Sequence, residues 1–336
     1  MTFSVTGPIP RLLRGAGVLA ALICGISVAA GTVPQGPPVP PDNPMNPAKV
    51  ALGRRLFYDA DLSVNGTMAC ATCHEQKHGF ADGNARHPGA LDDPGRRNVP
   101  GLANVAWFPR LTWADPRLTS LEAQVAVPVF GDHPVEMAMK GHETEIAKRL
   151  GRDPCYVKMF RQAFPEDGGT IAYPNVAKAI AAFERTLVSR ASPYDMFLKG
   201  YASFLAPDAR KGEKIFKRDC ASCHAGPDFT DATYHRIAPP GSADMGDQGL
   251  VEVTGIRSDT GKFRTPSLRN ASVTAPYLHD GSAATLADAI HAHRAFAAMP
   301  VSDEAPLLAF LAALTDKHFL TDPRLALPAK ACGKPL

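Results

Sequence analysis

Two segments of this 336-residue chain share the pattern Cys-x-x-Cys-His, namely Cys70-Ala-Thr-Cys73-His74 and Cys220-Ala-Ser-Cys223-His224. Two thiols at this spacing can add to the two vinyl groups of one haem, and the adjoining histidine then lies beneath the iron as its proximal ligand. A structural zinc site needs a closed set of four ligands, whereas each segment here carries its own histidine. The pattern therefore predicts two covalently bound haem c groups, attached through Cys70, Cys73, Cys220 and Cys223, with His74 and His224 as axial ligands.

Residues 1–30 differ from the rest of the chain. Arg11 and Arg14 precede an uncharged, largely apolar run from Val18 to Ala30 that ends in small residues. This is the pattern of a cleaved export signal, and the thirteen residues of the run are fewer than the roughly 20 that a spanning helix needs. We therefore expect export to the periplasm, removal of the signal at residues 1–30, and no membrane span in the mature protein.

Charge and cysteine content narrow the possible functions. The chain has 36 Lys and Arg against 33 Asp and Glu, without the basic stripe of a nucleic-acid-binding protein, so nucleic acid is excluded as a partner. Of seven cysteines, four belong to the haem segments and Cys24 lies in the export signal. Cys155 and Cys332 remain. In an exported protein they either form a disulfide or stay separate, and the sequence leaves both alternatives open.

The spacing of apolar residues predicts a mainly α protein. A helix is expected from Pro47 to Phe57, with Asn46 as its N-cap and proline at its first position. Further helices are expected at about 174–188, 207–217, 284–298 and 303–315. The stretch 80–135 is rich in Gly, Pro, Asp and Arg, so it is expected to form long ordered loops.

The order of these elements indicates one haem-binding unit present twice. The segments Leu52-Gly-Arg-Arg-Leu-Phe57 and Arg210-Lys-Gly-Glu-Lys-Ile-Phe216 are similar, and each precedes a haem segment. We therefore expect two fused c-type cytochrome domains, at residues 48–191 and 192–336. Residues 31–47 are rich in proline and are expected to form an extended linker or a surface strap.

Two haems are compatible with two kinds of function. An electron carrier keeps both irons six-coordinate and needs no acid–base group. An enzyme that uses peroxide needs one open iron position and a side chain that moves protons there. The haem segments alone do not distinguish these alternatives.

Three further segments carry a resemblance to a known family. They are Lys262-Phe-Arg-Thr-Pro-Ser-Leu-Arg-Asn-Ala-Ser-Val-Thr-Ala-Pro-Tyr-Leu-His-Asp-Gly281, Arg110-Leu-Thr-Trp-Ala-Asp-Pro-Arg-Leu118, and Ser120-Leu-Glu-Ala-Gln-Val-Ala-Val-Pro-Val-Phe-Gly-Asp-His-Pro-Val-Glu-Met137. The first, following two haem segments, resembles the bacterial diheme cytochrome c peroxidase and MauG family over nearly the whole mature chain. The other two resemble the branch that contains the methanobactin-associated diheme enzyme MbnH.

The resemblance implies a function. Residues 48–191 would be the peroxide-reacting haem domain of an enzyme that uses hydrogen peroxide to form high-valent haem iron. Its substrate would be a partner protein, a tryptophan of a secreted, MbnP-like copper-binding protein being oxidised to kynurenine. The alternative within the family is a cytochrome c peroxidase that reduces hydrogen peroxide with electrons from a small redox protein.

Several site residues follow from the resemblance. Glu136 matches the distal acid of the first haem, where a carboxylate can move a proton between the peroxide oxygens. Gln124 matches a glutamine of the same pocket. Trp113 matches a tryptophan between the haems that relays an oxidising equivalent, whereas Trp107 is interpreted as packing. Asn98 and the carbonyls of Thr274 and Pro276 match a calcium site of the family, and all are oxygen donors as calcium prefers.

The sixth ligand of the second haem is expected to be His293, where the family has methionine or tyrosine. A thioether raises the haem potential, whereas imidazole favours higher oxidation states. This suits a haem that stores an oxidising equivalent. His291 is the alternative ligand. His87 lies where some peroxidases carry a histidine that caps the first haem at rest, and Lys217-Arg-Asp219 lacks the tryptophan that MauG has at this position.

Overall fold

Helices provide most of the regular structure, which confirms the mainly α class. The computed structural model describes residues 1–4, 7, 36–237, 246–293 and 299–335. Most of the expected export signal at 1–30 lies outside these residues. The chain divides into a unit of residues 1–36 and a unit of residues 37–336, and the following concerns the second. In the described residues no helix is both long and apolar enough to cross a membrane.

The helices of the described residues are short and joined by long loops, particularly between residues 74 and 120. They are α1 Pro47–Phe57, α2 Cys70–Cys73, α3 Leu121–Gln124, α4 Ala126–Phe130, α5 Glu143–Gly151, α6 Pro154–Ala163, α7 Tyr173–Glu184, α8 Pro193–Leu198, α9 Pro207–Asp219, α10 Val251–Thr254, α11 Leu286–Ala292, α12 Val301–Ala312 and α13 Lys317–Thr321. Two antiparallel pairs of two-residue strands complete the list: β1 Tyr234–His235 with β2 Phe263–Arg264, and β3 Lys330–Ala331 with β4 Lys334–Pro335.

Helix α1 begins where the sequence predicts. The Asn46 side chain accepts a hydrogen bond from the Lys49 backbone N–H at 2.7 Å, and Pro47 occupies the first turn. The helix then packs on α7 at Gly53, where an added Cβ would lie 1.7 Å from the Ala179 carbonyl oxygen. Only glycine allows the two backbones to approach so closely.

The second half of the chain repeats this crossing. Helix α9 packs on α12 at Gly212, where an added Cβ would lie 1.9 Å from the Pro306 carbonyl oxygen. In both halves a buried phenylalanine, Phe57 or Phe216, follows the glycine by four residues and joins the hydrophobic core. The similar segments that the sequence places before each haem site are therefore similar helix crossings.

Two large hydrophobic clusters lie around these crossings. The first is built mainly from α1, α4–α7 and the segment 137–139, and the second from α8, α9 and α12. Phe319 and Leu325, near the C-terminus, belong to the first cluster. The domain boundary between residues 191 and 192 stays a prediction.

The Pro-rich segment lies against the protein as a strap. Asn43 is fully buried, and its side-chain amide donates to the Glu122 carboxylate at 2.7 Å and to the Lys178 carbonyl at 2.9 Å. The Lys49 ammonium donates to the Asn43 side-chain oxygen at 3.1 Å. These bonds fix residues 36–46 beside α1, α3 and α7.

The C-terminal segment, from α13 onward, packs on the first hydrophobic cluster and is held there by hydrogen bonds. The Gln76 side chain donates to the Phe319 carbonyl at 3.0 Å, and the Arg54 guanidinium donates to the Ala326 carbonyl at 2.6 Å. Cys155 and Cys332 form a disulfide, so the alternative of two separate thiols is wrong.

One helix is shorter than expected. The prediction of a helix over 284–298 is wrong at its end, because α11 stops at Ala292 and His293 is its C-cap with an extended backbone (φ −75°, ψ 117°). Residues 294–298 lie outside the described residues. The backbone of His293 is therefore no longer helical, and the helical repeat does not determine the direction of its side chain.

Candidate functional site

The two haem segments adopt the same local geometry. Helix α2 carries Cys70 and Cys73, and α9 leads directly into the turn that carries Cys220 and Cys223. None of these four cysteines takes part in a disulfide, whereas Cys155 and Cys332 are joined to each other. The disulfide therefore leaves both haem segments with their full set of cysteines.

The histidine of each segment is held by a backbone carbonyl. His74 Nδ1 lies 2.7 Å from the Phe80 oxygen, and His224 Nδ1 lies 3.0 Å from the Phe229 oxygen. A carbonyl can only accept, so Nδ1 carries the proton and Nε2 keeps the lone pair that a metal needs. Burial lowers the pKa of both histidines, to about 4 for His224, and so favours the neutral ligand form. The residues present therefore fit a haem at each segment.

Sequence patterns did not indicate the two carbonyl acceptors. Phe80 and Phe229 both have left-handed backbones, with φ of 61° and 53°, which is uncommon for a bulky residue. The signal that could have found them is a repeated Phe-x-Asp, at Phe80-Ala-Asp82 and Phe229-Thr-Asp231. In each case the phenylalanine follows the haem histidine by five or six residues.

At the second haem segment another imidazole faces His224. The ring centres of His224 and His293 are 6.4 Å apart. A metal–imidazole bond is about 2.0 Å and a ring centre lies about 1 Å beyond its nitrogen, so two imidazoles on one metal have centres roughly 6 Å apart. His293 Nδ1 donates to the Ala289 carbonyl at 2.8 Å, which gives it the same tautomer as His224.

The alternative ligand points elsewhere. His291 Nε2 lies 3.0 Å from the Glu304 carboxylate, and its side chain is 45% exposed. A cavity of about 1250 Å³ is bordered by Cys220, Cys223, His224 and His293, but His291 is not among its lining residues. The cavity exceeds the roughly 300–1,000 Å³ of ordinary small-ligand sites, as a haem pocket should.

Glu136 lies near the first haem segment, in a loop that backbone hydrogen bonds hold at Glu136 itself and at the next residue. Its carbonyl accepts from the Ala90 N–H at 2.6 Å, and the next residue, Met137, donates to the Pro128 carbonyl at 2.9 Å. The Glu136 carboxylate is close enough to Cys73 to help raise the pKa of that thiol, after burial, to about 12. Burial raises the pKa of Glu136 itself, and nearby His87 partly opposes this shift.

Gln124 ends helix α3 with an unsatisfied side chain. Its Oε1 atom is enclosed and accepts no hydrogen bond from the described residues. A buried acceptor without a donor costs about 1–3 kcal/mol. This oxygen therefore suits a pocket in which a bound molecule supplies the donor.

Trp113 borders the same cavity as His224 and is only 8% exposed. Its Nε1–H donates to the Asn98 carbonyl at 2.7 Å. Trp107 differs, because its indole N–H meets no acceptor among the described residues and the Arg190 guanidinium lies 5.2 Å from its ring centre. A cation beside an indole disfavours removal of an electron from it, so Trp113 is the more suitable relay.

The three residues of the expected calcium site border one cavity. Asn98, Thr274 and Pro276 all line it, and the Asn98 side-chain amide donates to the carbonyls of Asn84 at 3.2 Å and Ala85 at 3.3 Å. In this orientation the Asn98 amide nitrogen faces residues 84–85, and the side-chain oxygen can contact another group. The calcium site stays a prediction.

The fold and the paired Cys-x-x-Cys-His segments define the class of di-haem c-type proteins. The family model described as di-haem cytochrome c peroxidase matches residues 47–203. The methylamine utilization protein MauG of Methylorubrum extorquens is 37% identical over 255 residues, which cover 75% of this chain and 70% of MauG. The cytochrome c551 peroxidase of Pseudomonas aeruginosa is 35% identical over 255 residues, covering 74% and 72%.

The chain therefore belongs to the diheme cytochrome c peroxidase and MauG family, and it is a peroxide-dependent di-haem oxidoreductase. A solved structure of a MauG-like protein associated with microbial copper homeostasis is 36% identical, with a TM-score of 0.81, and covers 88% of this chain and 97% of that one. The di-haem peroxidase BthA of Burkholderia thailandensis, 23% identical with a TM-score of 0.67, shares the fold over 87% of this chain and 92% of its own.

Proposed function

We propose that this protein uses hydrogen peroxide to oxidise a tryptophan of an exported copper-binding protein to kynurenine. The proposal rests on a difference between the two haem segments, namely the kind of side chain that lies near each of them. At the second segment an imidazole, His293, faces His224 with ring centres 6.4 Å apart. At the first segment a partly buried carboxyl group, Glu136, lies near Cys73.

The chain's residues have distinct tasks in this proposal. Haem c attached through the four cysteines, and ligated by His74 and by His224 with His293, supplies the redox chemistry with peroxide. Glu136 takes a proton from the approaching peroxide oxygen and returns it to the departing oxygen, which is general acid–base catalysis. The Gln124 amide oxygen accepts a hydrogen bond from a molecule held beside Glu136.

Trp113 would let the two sites share the electron deficit. An indole that loses an electron becomes more acidic at nitrogen, and the Asn98 carbonyl, 2.7 Å from Nε1, stabilises the developing positive charge. A calcium ion held by Asn98 and the carbonyls of Thr274 and Pro276 would fix this loop. Its removal by a chelator would then loosen the position of Trp113.

The substrate class follows from the chemistry and from one relative. Conversion of tryptophan to N-formylkynurenine adds two oxygen atoms from water and releases four electrons and four protons. The four electrons, with four protons, reduce two hydrogen peroxide molecules to four waters. Hydrolysis then releases formate and gives kynurenine. The solved MauG-like relative is associated with copper homeostasis, and the expected signal at residues 1–30 supports action in the periplasm, where an exported copper-binding partner would be found.

The test uses the holoenzyme, hydrogen peroxide and an exported copper-binding protein of the same organism. We expect a tryptophan peptide of the partner to acquire the mass of kynurenine, and a partner with that tryptophan changed to phenylalanine to stay unmodified. Peroxide consumption that leaves every partner peptide unchanged would overturn the proposal. The enzyme carrying Glu136→Gln is the matched control for non-enzymatic oxidation.

A second candidate is peroxide reduction with electrons from a small redox protein. It is favoured by the 35% identity to the cytochrome c551 peroxidase of Pseudomonas aeruginosa. This function requires a second haem of high potential that is reduced before peroxide reacts. Redox titration distinguishes the two, because two imidazole ligands hold the potential lower than histidine with methionine.

A further inference from the structure

We infer that Asp82 and His87 form a proton relay that supplies Glu136 from solvent. The inference rests on the proposed reaction with hydrogen peroxide at the first site, but not on the identity of the partner protein. It assigns a task to a buried acid and a histidine that the proposed function does not use.

The two side chains are joined by a short hydrogen bond. His87 Nδ1 lies 2.7 Å from an Asp82 carboxylate oxygen, and the carboxylate can only accept, so Nδ1–H donates. The Asp82 side chain is 1% exposed, whereas that of His87 is 20% exposed. One end of the pair is therefore fixed inside the protein and the other reaches solvent. Backbone and side-chain amides of Asn84, at 3.2 and 3.0 Å, hold the other carboxylate oxygen.

The loop that carries His87 packs directly on the segment that carries Glu136. An added Cβ at Gly89 would lie 1.9 Å from the Val135 carbonyl oxygen, and Ala90 donates to the Glu136 carbonyl at 2.6 Å. His87 and Glu136 also interact electrostatically. Two fixed contacts two and three residues from His87 therefore keep the imidazole near the carboxyl group.

The proton balance requires such a route. Reduction of one hydrogen peroxide to two waters consumes two electrons, which the oxidised substrate supplies, and two protons, which must come from solvent. Glu136 can move one proton between the peroxide oxygens, but this transfer brings in no proton from outside. A partly buried carboxyl group needs a neighbour that reaches water, and an imidazole whose orientation is fixed by an acid suits this task.

The second half of the chain contains a related pair that differs in burial. Asp231 follows Phe229 as Asp82 follows Phe80, and His235 Nε2 lies 2.7 Å from the Asp231 carboxylate. This pair is more exposed, at 22% for the acid and 41% for the histidine, and the same imidazole nitrogen also lies 2.8 Å from the Thr233 hydroxyl. It shares the turn geometry of the first pair but not its buried acid.

The experiment compares the holoenzymes carrying His87→Asn, Asp82→Asn and, at an exposed position, His142→Asn with the wild type. Peroxide turnover is measured with a small redox dye as electron donor, in H₂O and in D₂O, so no partner protein is needed. We expect His87→Asn to slow turnover by about 10- to 100-fold, a fraction of what general acid–base groups contribute. Its solvent isotope effect should rise because proton delivery becomes rate-limiting, while His142→Asn keeps both values.

The absorption spectrum of the resting enzyme separates a relay from other roles. If His87→Asn converts the first haem from six- to five-coordinate, His87 is an iron ligand and the relay is wrong. Wild-type turnover and isotope effect in His87→Asn would overturn it as well. Asp82→Asn should raise the solvent isotope effect less than His87→Asn does. If the Asp82 variant does not fold, the result for His87→Asn alone tests the relay. A wild-type enzyme that does not consume peroxide would instead contradict the proposed function.

Discussion

At the scale of single residues, Glu136 is the proposed proton acceptor for peroxide at the first site. Glu136→Gln keeps the shape of the side chain but cannot take a proton, so we expect the reaction of the holoenzyme with peroxide to slow by about 100-fold or more. Stopped-flow absorbance measures this rate. Glu143→Gln, on the exposed start of α5, should react as the wild type does.

The same residue sets a pH dependence. Burial raises the pKa of Glu136, and the carboxyl group accepts a proton only when ionised. The rate should therefore fall as the pH decreases through this raised pKa, at a higher pH than an exposed glutamate would give. Glu136→Gln should lack this acidic decline, and an unchanged profile in the variant would assign the decline to another group.

His293, as the proposed second axial ligand, should determine the reduction potential of the second haem. His293→Met replaces imidazole by a thioether, and we expect the reduction potential of that haem to rise on the order of 0.1 V, within the roughly 0.8 V that axial ligands span. Spectroelectrochemical titration measures the change. His291→Met should leave the potential unchanged, because His291 contacts Glu304 rather than the cavity; a shift in that variant instead would exchange the two assignments.

The sequence predicts side chains whose chemistry requires a fixed spacing of residues. It does not predict the groups that hydrogen-bond to those side chains. The sequence predicts His74 and His224 as haem ligands, because covalent attachment requires a fixed spacing of cysteines and histidine, and the hydrogen bonds of their Nδ1 atoms fit that prediction. Their acceptors, the carbonyls of Phe80 and Phe229, were not predicted, because a backbone acceptor depends on a left-handed φ, which the repeated Phe-x-Asp indicates only indirectly. The hydrogen bond between Asp82 and His87 was not predicted either, because an acid and a histidine five residues apart do not by themselves indicate a contact.

At the scale of helices, periodicity and capping predicted α1 well, and they predicted the start of α7, which ends at Glu184 rather than near residue 188. Asn46 and Pro47 fix one end of α1, and the apolar face of α7 fixes its position. The end of α11 was wrong by several residues, since alanine and histidine around residue 292 suit a helix and no glycine or proline stops it there. Tertiary placement of His293 opposite His224 competes with that local preference.

The two helix crossings give a prediction at this scale. Gly53→Ala places a methyl group 1.7 Å from the Ala179 oxygen, and a backbone atom cannot rotate away, so we expect a loss of about 3 kcal/mol or more in the free energy of unfolding. Gly212→Ala should act similarly at the second crossing. Gly151→Ala, with nothing within 4 Å of its added Cβ, should be neutral or stabilising by up to about 1 kcal/mol. Denaturant titration followed by circular dichroism compares the three.

At the scale of the whole molecule, the C-terminal segment returns to the first hydrophobic cluster, which no periodicity indicates. Its anchors are backbone carbonyls that accept from Arg54, Tyr58 and Gln76, and any sequence can offer carbonyls. The pairing of Cys155 with Cys332 was left open for a related reason. Residues 177 positions apart can be bridged only if the fold brings them together, and a sequence does not give that distance.

The disulfide should stabilise the protein mainly through the unfolded chain. Closing a loop of 177 residues restricts the unfolded state strongly, so the double variant Cys155→Ser with Cys332→Ser should lose about 3–5 kcal/mol in the free energy of unfolding. The haem spectra should stay unchanged, because the hydrogen bonds of Arg54 and Gln76 still hold the C-terminal segment in place beside the first haem segment. Under reducing conditions the wild type should fall to the stability of the variant. If it instead keeps its advantage there, packing of the two thiols rather than loop closure is responsible, and the remaining hydrogen bonds to Arg54 and Gln76 hold the segment in place without the bridge.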